Sequence, residues 1–218
     1  MLFGCILRSP HAHAIIKSID TSAAEALPGV KSVVTRDDFP DQPAGSAAGD
    51  MTRVAMAREK ALFDGHPVAA VAATSEAVAR RALKLIKVDY EVLPHVIYPV
   101  DAMKPGAPIL HDQNRTKGLD EPNDNPTNVT ERMVSKMGDI EKGFAAADFI
   151  VEREFDSKPM HQGYIEPQGC VAEYSKDGQV ELWCSTQAPF VYRDRLSAVL
   201  KIDAAKINVQ QSELGGGF

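Results

Sequence analysis

Between Val100 and about Met137 the chain loses all apolar periodicity, and this break constrains the fold more than any other feature. Pro105, Pro108, Pro122 and Pro126 sit there among Asp, Asn, Gly and Thr. Each proline fixes its φ and removes a backbone donor, so the segment cannot run as one helix or as a central strand. Residues 99–137 therefore read as a linker or a long surface connection, with a folding unit on either side. The 218 residues are enough for one large domain or two modest ones. Asn114-Arg-Thr116 and Asn128-Val-Thr130 within this stretch fit the glycosylation sequon, which has a use only in a secreted protein.

The first unit, residues 1–98, mixes strands and helices. Leu2 to Arg8 and Ala14 to Ile19 are strand-like, and Asp20 can cap a short helix from Thr21 to Leu27, stopped by Pro28-Gly29. Val30 to Thr35 resumes as a strand. Ala61 to Phe63 and Pro67 to Ala73 look like two strands joined at the turn Asp64-Gly65. Thr74 or Ser75 can cap a helix with Val78, Ala82, Leu85 and Ile86 on one apolar face, and Lys87 to Val92 is a further strand before Pro94. The class implied is α+β, with one main helix against a sheet.

The second unit, residues 138–218, opens with Asp139 capping a helix to Ala146, followed by a strand from Phe149 to Phe155. Gly169 to Tyr174 and Gln179 to Cys184 pair around Lys176-Asp177-Gly178. A helix runs from Pro189 to Leu200 with Tyr192, Leu196, Val199 and Leu200 on one face, and Ile207 to Gln211 is the last strand. The opening residues already read as strand and the chain stops on Gly215-Gly-Gly-Phe218, so a fragment or split gene product is expected.

Composition narrows the classes. Twenty-four basic against thirty acidic side chains give a formal charge of -6, which argues against nucleic acid or an anionic membrane as partner. No apolar run approaches the roughly 18 residues of a membrane span, and no leader is visible. Cys5, Cys170 and Cys184 are too scattered for a disulfide framework or a CxxC site, and read as small buried residues in a reducing, cytoplasmic setting. His11 and His13 lie two apart, not at the i, i+4 spacing of a helical zinc pair.

Three motifs carry possible chemistry. Gly215-Gly-Gly217 follows a strand, so its amides could approach an anion or flat ligand, or simply turn the chain; it fits neither GxGxxG nor the P-loop pattern. Ser185-Thr-Gln187 lies between a strand and a helix. Gln187 could offer its amide to a pocket, or Ser185 or Thr186 could merely cap the helix. In His161-Gln-Gly-Tyr-Ile-Glu-Pro167, Glu166 near His161 and Tyr164 could move protons or could anchor backbone amides in a turn. Arg193 and Arg195 read as solvated or salt-bridged, and no Ser-His-Asp or Cys-His arrangement is supported.

Taken in order, Leu7-Arg-Ser-Pro-His-Ala-His13, Asp64-Gly-His-Pro-Val-Ala69, Val88-Asp-Tyr-Glu-Val-Leu-Pro94, Ile165-Glu-Pro167, Ser185-Thr-Gln187 and Leu214-Gly-Gly-Gly-Phe218 resemble the xanthine dehydrogenase/aldehyde oxidoreductase family of molybdenum hydroxylases. The resemblance runs over essentially the whole chain and covers the N-terminal part of a longer family subunit. It implies an α/β hammerhead domain over 1–98, then the start of the molybdopterin-binding α/β domain. It implies an oxidoreductase that hydroxylates an aldehyde or aromatic heterocycle with oxygen from water; branches of the family reduce hydroxybenzoyl-CoA or oxidise carbon monoxide. His161-Gln-Gly-Tyr164 leans toward an aromatic or heterocyclic substrate. By motif, Gln187 falls beside the molybdenum oxo and pterin ligands, and Gly216, Gly217 and Phe218 fall in the loop along the cofactor; none ligates the metal directly. Glu166 takes a supporting place.

The same resemblance marks what is not here. The family's loop continues with Gly-Lys, and its general-base glutamate lies in a C-terminal region without counterpart, so no catalytic residue is expected within this chain. The cofactor implied is molybdenum–molybdopterin, in the plain or the cytosine dinucleotide form. The [2Fe-2S] cluster and FAD are expected on partner subunits, beside the remaining molybdopterin-binding chain. The alternative is a truncated hammerhead or assembly module that binds no metal.

Overall fold

The computed structural model describes residues 1–43 and 45–218. Its first part runs β1 (Phe3–Arg8), β2 (Ala14–Asp20), α1 (Ser22–Glu25), β3 (Val30–Val34), α2 (Ala47–Ala55), β4 (Lys60–Ala61), β5 (Pro67–Ala73), α3 (Glu76–Leu83) and β6 (Lys87–Val92). Two three-stranded sheets result, ordered β1-β5-β3 and β4-β2-β6, with antiparallel pairing throughout. The central strand β5, Pro-Val-Ala-Ala-Val-Ala-Ala, is apolar on both faces, as a strand covered on both sides must be. Ala69, Val71 and Ala73 pack with Ala79, Ala82 and Ile86 of the α3 region in the main core. Small alanines on both surfaces allow helix and sheet to approach closely.

The expected hairpin at Asp64-Gly65 is not formed. Ala61 pairs with Ala14 of β2, whereas β5 inserts between β1 and β3 in the other sheet. The turn is real, with Gly65 at φ 81°, but it passes the chain from one sheet to the other. The apolar β5 gains more from a central position than from pairing with a two-residue edge. The first helix is shorter than expected, Asp20 accepting from the Ser22 amide at 3.1 Å at its start. Ser75 caps α3 as expected, but the helix ends at Leu83; Leu85 lies beyond it and is partly exposed, and Ala79 takes its place in the buried face.

The connecting segment holds one short helix, α4 (Pro99–Ala102), and is otherwise irregular. Its asparagines organise it. Asn128 donates through Nδ2 to the carbonyls of Ala102 and Pro108, at 3.0 and 2.9 Å, and accepts the Leu110 amide at 3.1 Å. Asn114 donates from Nδ2 to Thr127 at 2.7 Å. Both sequon nitrogens are thus engaged within the chain, where a glycan would have to displace these bonds.

The second part contains α5 (Ile140–Ala145), β7 (Cys170–Tyr174), β8 (Val180–Cys184), α6 (Pro189–Leu200) and β9 (Ile207–Gln211). Asp139 caps α5, accepting the Lys142 amide at 3.1 Å. The strand expected at Phe149–Phe155 is absent: no partner strand lies alongside, and Phe149 and Phe155 are exposed. β7 pairs antiparallel with β8, and β9 lies parallel to β8, reached through α6. A parallel neighbour requires such a crossover. No described helix is long and apolar enough to cross a membrane.

Candidate functional site

The sheet β7-β8-β9 decides where loops meet. β8 and β9 run parallel, so their carboxyl ends lie together; β7 is antiparallel, so its amino end lies there too. Three loops therefore leave one edge of the sheet: His161–Gly169 before β7, Ser185–Ala188 after β8, and Ser212–Phe218 after β9. The crevice outside the carboxyl ends of parallel strands is where open α/β sheets bind ligands.

The loops make specific contacts. Gln187, exposed on the second loop, donates from Nε2 to the Gly217 carbonyl at 2.5 Å. The Glu166 carboxylate accepts the amide of Gly215. His161 and Tyr164 pack with ring centroids 4.8 Å apart, and the His161 Nδ1 accepts the Gly163 amide at 2.9 Å. Thus the structure brings Gln187, Gly216 and Gly217 together, with the His161–Pro167 loop as a third wall. Phe218 is mostly exposed and lies beside Gly216.

The glycines have a local cause as well. A Cβ on Gly215 would stand 2.7 Å from the Glu166 Cβ, and one on Gly216 would stand 2.7 Å from the Tyr164 Cβ. At Gly217 it would meet the Gln187 Oε1 and the Leu214 Cδ2, each at 2.8 Å. Gly216 also holds φ at +145°, outside what L side chains favour. The run is glycine first because the chain's own Tyr164, Glu166 and Gln187 stand against it. Of the two readings the sequence allows for Glu166, proton transfer or an anchor for backbone amides, the contact present is of the second kind, and its partner is the glycine turn, with Tyr164 under Gly216.

Neither capping expectation is met in simple form. Ala188 occupies the position before α6 and has no side chain to cap with, while buried Thr186 accepts the Ala188 amide at 3.0 Å. Arg193 pairs with Asp194 at 2.8 Å and lies over the Phe190 ring, so it serves the helix surface. Among the described residues no cluster of three His, Cys, Asp or Glu could hold a metal ion.

Residues 1–94 match the model of the aldehyde oxidase and xanthine dehydrogenase a/b hammerhead domain, and 121–218 match the molybdopterin cofactor-binding domain. The chain belongs to the xanthine dehydrogenase and aldehyde oxidoreductase family. The expected fold, a hammerhead followed by the first part of the molybdopterin-binding domain, is the one found. The carbon monoxide dehydrogenase large chain of Afipia carboxidovorans is 38% identical over 100% of this chain and 28% of its own length. A probable hypoxanthine oxidase of Escherichia coli is 35% identical over 98% of this chain and 25% of its own. Among solved structures, the Cu,Mo-CO dehydrogenase superposes with a TM-score of 0.80 at 37% identity, covering 100% of this chain and 28% of that one. The aldehyde oxidoreductase of Desulfovibrio gigas gives 0.80 at 26% identity, covering 100% and 24%. The chain thus spans about a quarter of the length of these relatives.

Proposed function

We propose that this chain forms part of the molybdopterin-binding large subunit of a molybdenum hydroxylase, and that Gln187, Gly216, Gly217 and Phe218 line the pterin and metal ligands there. The convergence of Gln187 with the glycine turn at the carboxyl ends of β8 and β9 carries this reading. The residues fit such a group. Gln187 keeps one amide N–H and its carbonyl for a ligand beyond Gly217, and the turn presents backbone without side chains. Glu166 holds the turn through Gly215, and Phe218 offers an exposed ring at its edge.

When bound, the molybdenum–pterin group supplies two-electron redox chemistry and transfer of oxygen derived from water. Within this chain the residues bind and orient; the general base is assigned to a glutamate elsewhere in the subunit. The cytosine dinucleotide form suits the similarity to a carbon monoxide dehydrogenase. The activity proposed is hydroxylation of an aldehyde or aromatic heterocycle, or a reaction on a related substrate such as a hydroxybenzoyl thioester. Partner subunits bearing [2Fe-2S] and FAD would take the electrons, in the cytoplasm. The division into a hammerhead at 1–98, a linker at 99–137 and a cofactor unit from 138 belongs to the same proposal.

The test is the molybdenum and pterin content of the protein purified with its co-expressed neighbours. Near-stoichiometric metal is expected, falling to background in Gln187→Ala combined with Gly216→Ala. Because a Cβ at Gly216 would meet Tyr164, circular dichroism of the double variant reads whether it folds, and Gln187→Ala alone, which leaves the glycine turn intact, should lower the metal content in the same direction. A folded protein without metal or pterin would refute the proposal and favour an assembly module.

A further inference from the structure

The register of the β7–β8 hairpin places two cysteines face to face. Cys170 is directly opposite Cys184, five pairs along a ladder that closes at Tyr174 and Val180. Which kind of pair this is follows from the turn. The Ser175 amide donates to the Gln179 carbonyl at 3.0 Å, and the Gly178 amide to the Ser175 carbonyl at 3.0 Å, so Ser175 and Gln179 form a hydrogen-bonded pair. Pair types alternate along an antiparallel ladder. Glu173 with Glu181 and Val171 with Trp183 are then hydrogen-bonded pairs, and Cys170 with Cys184 is a non-hydrogen-bonded one. In such pairs the Cα atoms lie about 4.5 Å apart with side chains on one face, inside the span of roughly 4.4–6.8 Å that a disulfide bridges.

We propose that Cys170 and Cys184 form a reversible cross-strand disulfide when the protein meets hydrogen peroxide or an organic hydroperoxide. The two thiols are differently placed. Cys170 is exposed, whereas Cys184 is 6% exposed. Burial, with the neighbouring Cys170 adding, pushes the Cys184 thiol up, so Cys170 is the sulfur that peroxide reaches. In the first step the Cys170 thiolate attacks a peroxide oxygen, giving Cys170 sulfenic acid and hydroxide or alkoxide; sulfur loses two electrons and the O–O bond gains them. In the second step the Cys184 sulfur attacks the sulfenic sulfur, the S–S bond forms and water leaves. A disulfide with an exposed sulfur, as at Cys170, is open to attack by dithiols, which makes the modification reversible.

The position gives the bond a consequence. Cys170 ends the loop carrying Tyr164 and Glu166, and Cys184 begins the loop carrying Gln187. The Cys184 carbonyl also accepts the Ser212 amide at 3.0 Å, at the root of the third loop. A disulfide there ties two of the walls of the glycine turn at their base.

The experiment treats the purified protein, in its native assembly, with hydrogen peroxide, blocks remaining thiols and maps peptides without reduction. The expected result is a Cys170 peptide linked to a Cys184 peptide, separated again by dithiothreitol, and unchanged in Cys5→Ser. In Cys184→Ala, dimedone capture of Cys170 sulfenic acid should rise several-fold over wild type. Wild-type protein in which Cys170 proceeds to sulfinic acid while Cys184 remains alkylatable would overturn the proposal, and so would Cys170 left unreacted. The wild-type measurement needs no variant to fold, and it reads thiols rather than metal, so its outcome is separate from that of the cofactor proposal.

Discussion

His66 is fully buried beneath the turn that links the two sheets of the first unit. Its Nδ1 accepts the Leu62 amide at 3.1 Å and its Nε2 donates to the Arg53 carbonyl at 2.7 Å, which fixes the neutral Nε2–H tautomer. The ring also stacks on Phe63 at 4.2 Å. A second proton would set an N–H against the Leu62 N–H. Burial accordingly holds the imidazole below its ordinary 6.5, His111 lowering it further against the Arg53 and Val54 carbonyls that favour the charged form. Replacing His66 by Phe keeps an aromatic ring but leaves the Leu62 amide and Arg53 carbonyl without partners. Each loss costs about 1–3 kcal/mol, and because both groups are only half-buried the lower end applies, about 2 kcal/mol together. For a chain of this size that lowers Tm by about 4–8 °C. The sign with pH follows from linkage. The folded value lies below the unfolded one, so the unfolded state binds the extra proton more readily. Wild-type stability should therefore be fully present above about pH 6.5 and decline as pH falls below it. Urea denaturation followed by circular dichroism, at about pH 7.5 and about pH 5.5, measures both effects. His66→Phe should be less stable at the higher pH and show a shallower loss between the two. A variant within about 0.5 kcal/mol of wild type, or with an unchanged pH slope, would refute this account.

Glu166→Ala should free the Gly215 amide and loosen the turn by about 1 kcal/mol, read as faster hydrogen exchange at Gly215, whereas Glu166→Gln keeps an acceptor and should change little. Thr186→Val removes the acceptor for the Ala188 amide just before α6 and should cost about 1 kcal/mol in chemical denaturation, the worth of one part-buried hydrogen bond. Asn128→Ala removes three hydrogen bonds from the connecting segment and should speed proteolysis between residues 103 and 127 with only a small shift in global Tm.

The elements that the sequence revealed are those whose causes are local. Pro189 starts α6 and Leu200 ends it where the sequence places them, because a proline in the first turn acts within the helix itself; of the expected apolar face, Val199 is buried and Tyr192 is exposed. The hairpin around Lys176-Asp177-Gly178 was legible for the same reason, its glycine supplying φ 84°. α2 was not: Ala47, Met51, Val54 and Ala55 do fall at helical spacing, but the face that packs is that of Gly49 and Thr52, with Val54 exposed, and Ser46, accepting the Gly49 amide, marks its start. Phe149–Phe155 has the residues of a strand, but a strand exists only against a partner. At the site, Gln187 and the glycines stood out as motifs. The contacts of the glycines with Tyr164 and Glu166 span about fifty residues of chain and depend on strand order, which composition does not encode.

The side chain of Gln42 reaches across to α6 and donates to the carbonyls of Ala198 and Val199, at 2.8 and 3.1 Å, while Lys201 reaches the Asp41 carbonyl at 2.7 Å. The last carbonyls of a helix have no partners within it. Here a residue 156 positions away supplies them, from the hammerhead side of the proline-rich break. The boundary visible in the sequence is consequently not a boundary in cooperativity. Separating the two parts would strip α6 of its terminal donor and leave Gln42 with Thr52 as its remaining acceptor. The helix that follows Gln187 would then fray from its far end, and damage to the first unit would be felt as altered order in the second.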